Sequence, residues 1–236
     1  MPKLIVPKTL PEGIPPSALD ATKRMVKARR QVFGVPGASL TWGIDGADSV
    51  DVGAGIEGEK MTAKILTEWV KNHPSAMVFH SVEWPGVEGD TDHMVVVGRH
   101  ILLIDSKRWK AKRKYSVTAS GSILRGTVAF PEGNVKMAAA LNAWRNLLGQ
   151  GVRVSGVVNI AQEEVFVPYD ANWQKAPFKL VTAEKLIEFL DRFMERDVAQ
   201  KNRDVVDLSV LLPVMVRLMK PRNRREEVIN MKAWKR

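Results

Sequence analysis

The reading of this chain turns on residues 90–110, DTDHMVVVGRHILLIDSKRWK. Two apolar runs, Met94–Val97 and Ile101–Ile104, flank Gly98-Arg99, and a two-residue break between such runs predicts a β-hairpin. The short turn fixes the register, so that facing residues have numbers summing to 197. Val97 faces His100, Val96 faces Ile101, Met94 faces Leu103, and Asp92 faces Asp105. Opposed residues on neighbouring strands hold their Cβ atoms about 4.5–5.5 Å apart, where like charges repel. A fold avoids that pair unless a cation sits between the carboxylates. Strand alternation also brings Lys107 to the face of Asp105, so two carboxylates and an ammonium converge. The competing reading, solvated strand-end aspartates beside an exposed lysine, is weakened by this register and by the apolar run leading into Asp105. Hard oxygen donors without sulfur or paired imidazoles favour Mg²⁺ or Mn²⁺ over Zn²⁺.

Around the hairpin, the pattern predicts an α/β chain. Prolines crowd the first 16 residues, which read as surface chain. A helix opens at Ser17 and runs through Phe33, with Lys23, Arg24, Lys27, Arg29 and Arg30 on its outer faces. Residues 34–58, rich in glycine and aspartate, read as loop. Met61, Ile65, Leu66 and Trp69 then recur near helical spacing, predicting an amphipathic helix over 59–72. Strands follow over 76–84, 92–97 and 100–107. Next come a basic stretch, a short hairpin (115–118 and 123–128), a helix from about Asn134 to Leu148, and a strand over 152–161. A patterned helix spans Thr182–Arg196. The apolar segment Val205–Met219, interrupted by Pro213, reads as core cover or an oligomer contact. A basic tail, Lys220–Arg236, ends the chain, and there is no internal repeat.

Composition narrows the chemistry. The 236 residues are 45% hydrophobic and 26% charged, as in an ordinary globule. There is no cysteine, which excludes disulfides, thiolate metal sites and cysteine nucleophiles. The histidines (His73, His80, His93, His100) show no HExxH-like pairing; alternation turns His93 away from Asp92, as a core histidine. A net charge of +10 and a pI near 9.9 favour an anionic partner, nucleic acid first among them. The longest apolar run, Val210–Val216, is too short to span a bilayer. With no secretory signal visible either, the expected location is the cytoplasm, with no membrane role.

Two further motifs compete for attention. Residues 53–58, GAGIEG, match G-x-G-x-x-G, but the preceding DSVDV is polar and the following strands read as antiparallel. Gly53 and Gly58 also have Walker-A spacing, yet Glu59 stands where that loop needs lysine. These glycines therefore read as the turn that delivers Glu59. Lys107, Arg108, Lys110, Lys112, Arg113 and Lys114 place six basic residues within eight positions. The run reads either as a solubilising face or as phosphate contacts along a bound strand, and its departure from the proposed metal site favours the second. If the strand continues, Lys110, Lys112 and Lys114 share one extended face. Trp109 within the run could stack on a base or cover the sheet edge.

Gly58-Glu59 opening a helix, Asp92-His93 starting an apolar strand and Asp105-Ser106-Lys107 ending one resemble the nuclease-related domain of the PD-(D/E)xK nuclease superfamily. The resemblance covers roughly residues 53–165. It implies a restriction-endonuclease-like core, a central mixed sheet flanked by helices, over 51–170. Residues 1–50 and 171–236 would be N- and C-terminal helical extensions. Asp92, Asp105 and the backbone carbonyl of Ser106 would hold the divalent metal. Glu59 would reach it from the first-helix N-terminus, directly or through water, and Lys107 would orient and help deprotonate the attacking water. The implied chemistry is Mg²⁺- or Mn²⁺-assisted hydrolysis of phosphodiester bonds, with DNA the expected partner and RNA not excluded. One departure stands out. The family often carries glutamine early in the next helix, whereas this chain has Asn134 and Lys136, the latter a candidate phosphate contact. The alternatives are a catalytically silent nucleic-acid-binding module on the same fold, and an assembly protein, a homo-oligomer through the C-terminal helix.

Overall fold

The computed structural model describes residues 3–10, 14–38, 49–86, 89–133, 136–198 and 205–218. The expected hairpin is its centre. Strands β1 (Lys3–Ile5) and β2 (Val32–Phe33) and helices α1 (Pro16–Lys27) and α2 (Ser49–Val70) precede it. β3 (Ala76–Glu83), β4 (Asp90–Val97) and β5 (His100–Lys107) form an antiparallel meander. The β4–β5 register runs from Val97 opposite His100 to His93 opposite Ile104, as the turn length predicts. Three short strands, β6 (Arg113–Val117), β7 (Ile123–Arg125) and β8 (Val128–Ala129), lead to α3 (Met137–Leu148). Next come β9 (Arg153–Ile160), β10 (Val165–Phe166), α4 (Ala171–Lys175), β11 (Lys179–Thr182) and α5 (Ala183–Val198). β12 (Val205–Asp207) and α6 (Leu208–Leu218) complete the described chain.

The main sheet has the order β11-β9-β5-β4-β3-β2. β9 lies parallel to β5 and β11 parallel to β9, so the sheet is mixed, with helices on both faces. Alternation explains the two cores. Met94, Val96, Ile101 and Leu103 go to the face covered by α3 and α6. Val95, Val97, Leu102 and Ile104 go to the face covered by α2 and α5. Burying each such side chain stabilises the fold by about 1.5–3 kcal/mol, and both faces of the hairpin contribute. A second sheet, ordered β10-β6-β7-β8, stands beside the first, and β1 pairs with β12.

Several sequence expectations are corrected. The first helix ends at Lys27, because Val32 and Phe33 leave it to pair with β3, where Phe33 stacks on Phe79 at 5.0 Å. Gln31 fastens this exit by donating to the carbonyls of Val70, His73 and Ala76. The proline-rich start is not all loose chain, since Lys3–Ile5 form a strand. The predicted loop 34–58 is helix from Ser49 onward, so GAGIEG lies inside α2 and is neither a nucleotide loop nor a turn. Packing outweighs the low helix propensity of its glycines: a Cβ on Gly58 would sit 3.4 Å from Arg108 and 3.8 Å from Ala161, at the ends of β5 and β9. The apolar C-terminal segment splits into β12 and an α6 that continues through Pro213. α6 is core cover, with Leu208, Val210, Leu211, Leu212, Val214 and Met215 all buried. Asp207 caps it by accepting from Ser209 N–H at 2.9 Å, and pairs with Arg99 of the hairpin turn. Residues 39–48, Asn134 and the basic tail 220–236 lie outside the described residues. Among the described residues, no helix is long and apolar enough to cross a membrane.

Two glycine substitutions test this architecture. At Gly34 φ is +82°, and a Cβ would meet the His80 carbonyl oxygen at 2.3 Å. Gly34→Ala is expected to cost about 2 kcal/mol or more. Gly53 lies in α2 with open space around it, so Gly53→Ala is expected to add about 0.5–1 kcal/mol. Urea unfolding midpoints check both, and a destabilising Gly53→Ala would contradict the helical assignment.

Candidate active site

At the open end of the β4–β5 hairpin lies a cavity of about 280 Å³. Asp90, Asp92, Asp105 and Lys107 line it from the sheet, Trp84 and Gly89 from the β3–β4 connection, and Lys136, Met137 and Ala140 from the start of α3. The connection closes tightly: Trp84 N–H donates to Gly89 O at 2.9 Å, and its indole donates to Thr91 Oγ1 at 3.0 Å. A Cβ on Gly89 would stand 2.6 Å from the indole ring, so only glycine lets the chain pass over Trp84.

The ladder lapses where the carboxylates stand. β4–β5 pairing stops at His93 and Ile104, one step before Asp92 and Asp105. On the other side, β3–β4 pairing skips Ser81, which would face Asp92 and has φ of +53°. Such a backbone in a non-glycine residue costs on the order of 1 kcal/mol; Ser81 Oγ anchors it by donating to Val35 O at 2.9 Å. Asp92 replaces the missing backbone acceptor, its Oδ2 taking the Ser106 N–H at 2.6 Å. Strand geometry turns a residue's N–H and C=O to the same side, so the Ser106 carbonyl also points toward β4.

Lys107 Nζ donates to Asp105 Oδ1 at 2.9 Å. Asp105 Oδ2 is buried and has no hydrogen-bond partner among the described residues. Burial pushes the Asp92 carboxyl well above the usual carboxylate range, and the charge of Asp105 pushes it further. Burial alone would lower the Lys107 pKa, but Asp105, Asp92 and Glu59 outweigh it and raise the pKa above the usual lysine value. Lys107 is therefore an ammonium at neutral pH.

Glu59 is not at the first-helix N-terminus, as expected, but well inside α2. Only 2% exposed, it does not line the cavity. Its Oε2 accepts the Gly37 N–H at 2.8 Å, which ties α2 to the segment after β2. Burial raises its pKa to about 7; Asp90 and Asp105 also raise it, while the Gly37 N–H and Lys107 pull it down. Thr62, one turn along, accepts from Ser106 Oγ at 2.8 Å and Asn159 Nδ2 at 2.9 Å and donates to Gly58 O at 3.0 Å. This buried cluster locks α2 onto β5 and β9. His93 is buried on that side, its Nδ1 2.7 Å from His80 Nδ1.

The structure thus brings Asp92, Asp105, Lys107 and Lys136 to one cavity and sets Glu59 behind it. Sequence reasoning missed Asp90, Trp84, Thr62 and Asn159. Asp90 had a legible signal, its i, i+2 spacing from Asp92; Thr62 and Asn159 are ordinary polar residues until the helix and the strand that carry them are placed. The extended track expected for the basic run is absent. β5 ends at Lys107, residues 108–112 leave the sheet, Lys112 takes φ of +56°, and a new strand starts at Arg113. Arg108 is exposed and donates to Gln162 at 3.4 Å. Trp109 packs on Tyr115 and Phe130, at 4.9 and 5.2 Å between centroids, covering the small sheet.

A helix, an antiparallel meander, a second helix and a parallel strand make a mixed α/β domain, consistent with a nuclease-like one, with two aspartates and a lysine where the meander opens. Residues 54–158, from within α2 to within β9, match the family model of the nuclease-related domain. No curated protein and no solved structure matches the chain.

The buried Glu59 makes a signed prediction for the metal-free protein. Its folded pKa, about 7, exceeds the ordinary 4.5, so between these values the folded state binds more protons than the unfolded chain. Stability is then lost as pH rises through that window. Glu59→Gln keeps an acceptor for Gly37 and does not titrate. The variant is expected to match the wild type below pH 4.5 and to exceed it by up to about 3 kcal/mol above pH 7. Denaturant titrations in EDTA across pH check this; a constant difference would remove the proton linkage.

Proposed function

We propose that this domain is a metal-dependent nuclease of PD-(D/E)xK architecture, hydrolysing phosphodiester bonds of DNA with Mg²⁺ or Mn²⁺. Residues 51–170 carry the catalytic groups; the flanking segments are not helical extensions alone, since β2 and β11 complete the sheet and α5 and α6 cover its cores. The observation that carries this reading is the cavity itself: Asp92, Asp105 and Lys107 on one wall, Lys136 and the start of α3 on the other. Acidic oxygens on one side and cationic groups on the other suit a phosphodiester held between them.

The residues fit a divalent cation. Asp105 Oδ2 is buried without a partner among the described residues, Asp92 lies beside it, and the Ser106 carbonyl turns toward the same strand. No cluster of three or more histidine, aspartate or glutamate side chains arranged to hold a metal occurs among the described residues. Mg²⁺ does not require one, since it binds through one or two carboxylates and keeps its remaining positions for water and substrate phosphate. Asp92, Asp105 and the Ser106 carbonyl would hold it, with Glu59 behind them. When bound, the cation supplies Lewis acidity toward the phosphate and lowers the pKa of a water.

The chain's own groups do the remaining work. Lys107, held as an ammonium by its carboxylate neighbours, donates hydrogen bonds that orient the nucleophile and offset charge developing on the phosphate. While charged it orients water rather than accepting its proton. Among the described residues α3 has no side-chain cap at its N-terminus, so its first N–H groups and the Lys136 ammonium present donors for a phosphate oxygen. Trp84 and Met137 shape the walls. A silent nucleic-acid-binding module is favoured by one observation: Lys107 and Ser106 already satisfy one oxygen each of Asp105 and Asp92.

Plasmid and linear DNA incubated with Mg²⁺, Mn²⁺ or EDTA separate the two readings, with cleavage expected only in the metal-containing samples. Asp105→Asn is expected to abolish Mn²⁺ binding in calorimetry while the fold survives. Lys107→Ala is expected to slow cleavage by about 100-fold or more with metal binding retained, a loss of roughly 3 kcal/mol of transition-state stabilisation. Unchanged Mn²⁺ affinity in the first variant, or unchanged rates in the second, would move the site elsewhere.

A further inference from the structure

A second cavity, of about 410 Å³, is lined by Lys110, Lys112, Arg113, Lys114, Arg125 and Gly126. It shares no lining residue with the acidic one. Five cations around one hollow repel one another, and such an arrangement favours a bound polyanion. Its one ion pair among the described residues is at the rim, Lys112 with Glu164 at 3.6 Å, both largely exposed.

The cations stand on fixed backbone. Lys112 N–H donates to Glu164 O and Gly126 N–H to Lys114 O, each at 2.8 Å. Tyr115 Oη donates to Lys110 O at 3.3 Å, and the Arg125 guanidinium lies over the Phe130 ring at 4.6 Å. Lys112 holds a left-handed backbone, φ +56°, which turns the chain back to start β6. Beside the hollow, on the neighbouring strand, Phe166 pairs in register with Lys114 and is 60% exposed. The Lys114 Nζ lies 5.9 Å from its ring centroid. An exposed aromatic ring next to a cationic groove is a stacking platform for an unpaired base, which a duplex does not offer.

We propose that this cavity binds the phosphates of a single-stranded nucleic-acid segment while Phe166 stacks on one of its bases. The inference rests on nucleic acid as the partner, but not on cleavage. It replaces the straight lysine track with a hollow completed by Arg125, which is remote in sequence from the basic run.

The test uses a fluorescein-labelled oligothymidylate and a duplex of equal length, with anisotropy followed across salt in EDTA. The combined variant Lys112→Gln, Arg113→Gln, Arg125→Gln is expected to weaken single-strand binding at low salt and to flatten log K against log salt by about two units, at roughly 0.7 per phosphate. The charge-preserving set Lys112→Arg, Arg113→Lys, Arg125→Lys is expected to keep the wild-type slope. Phe166→Ala is expected to lose about tenfold in affinity for the single strand and none for the duplex. An unchanged slope in the neutral set, an equal loss in the charge-preserving set, equal losses of Phe166→Ala on both probes, or no binding by the wild type would each overturn the proposal. Plasmid cleavage with Mn²⁺, run in parallel, judges the nuclease reading separately. Cleavage with slopes insensitive to the variants leaves that reading standing and sinks this one, and binding through the cavity without cleavage does the reverse.

Discussion

Two aspartates on neighbouring strands, pressed into the same cavity, set the problem that the surrounding structure answers. Burial disfavours charge on Asp92, and the charge of Asp105 beside it disfavours it further. Lys107 relieves one oxygen of Asp105, and the Ser106 N–H relieves one of Asp92. Glu59 adds a third acidic group behind them, kept out of water and steadied by the Gly37 amide. The local balance remains acidic in a chain whose formal net charge is +10. Lys107 stands among the carboxylates and Lys136 on the far wall, while Lys110, Lys112, Arg113, Lys114 and Arg125 gather about the small sheet. Under the proposed function, that placement suits a cation among the carboxylates and an anion beyond them.

Much of this was legible because the hairpin is locally determined. A two-residue turn and two apolar runs specify register without help from the rest of the chain, and register alone brings Asp92, Asp105 and Lys107 to one face. The helix covering one face and the strand beyond the meander were legible in the sequence, whereas the parallel pairing of that strand with β5 was not. The failures share a different cause. Ser49–Gly58 was read as loop from its composition, whereas the docking of Gly58 against Arg108 and Ala161 makes it helix. Val32 and Phe33 carry no local strand signal strong enough to outweigh the helix before them; their partner, β3, is some 45 residues away in sequence. The basic run misled for the same reason. Its lysines are consecutive in the chain, but Lys112 turns the backbone and the group closes around Arg125 instead.

Thr62 and Asn159 were invisible because a buried hydroxyl and a buried amide have no signature until the elements that carry them meet. Together with Ser106 they form the polar seam between α2 and the strands. Such a seam is demanding, since any member lost leaves the others unsatisfied in a dry place. It also places Glu59, one helical turn away, in its pocket behind the aspartates. The acidic site is therefore positioned from both faces of the sheet.

The β4–β5 turn has a mechanical consequence. Arg153 N–H donates to Arg99 O at 2.9 Å, the Arg99 guanidinium engages Asp207, and Gly151 lies against it. The hairpin is clamped at its turn, while at the opposite end its ladder lapses around Asp92 and Asp105. At that end the two strands are held by their outer neighbours instead, β4 by β3 and β5 by β9, with no rung between them. A change in the spacing of Asp92 and Asp105 therefore meets no β4–β5 ladder hydrogen bond.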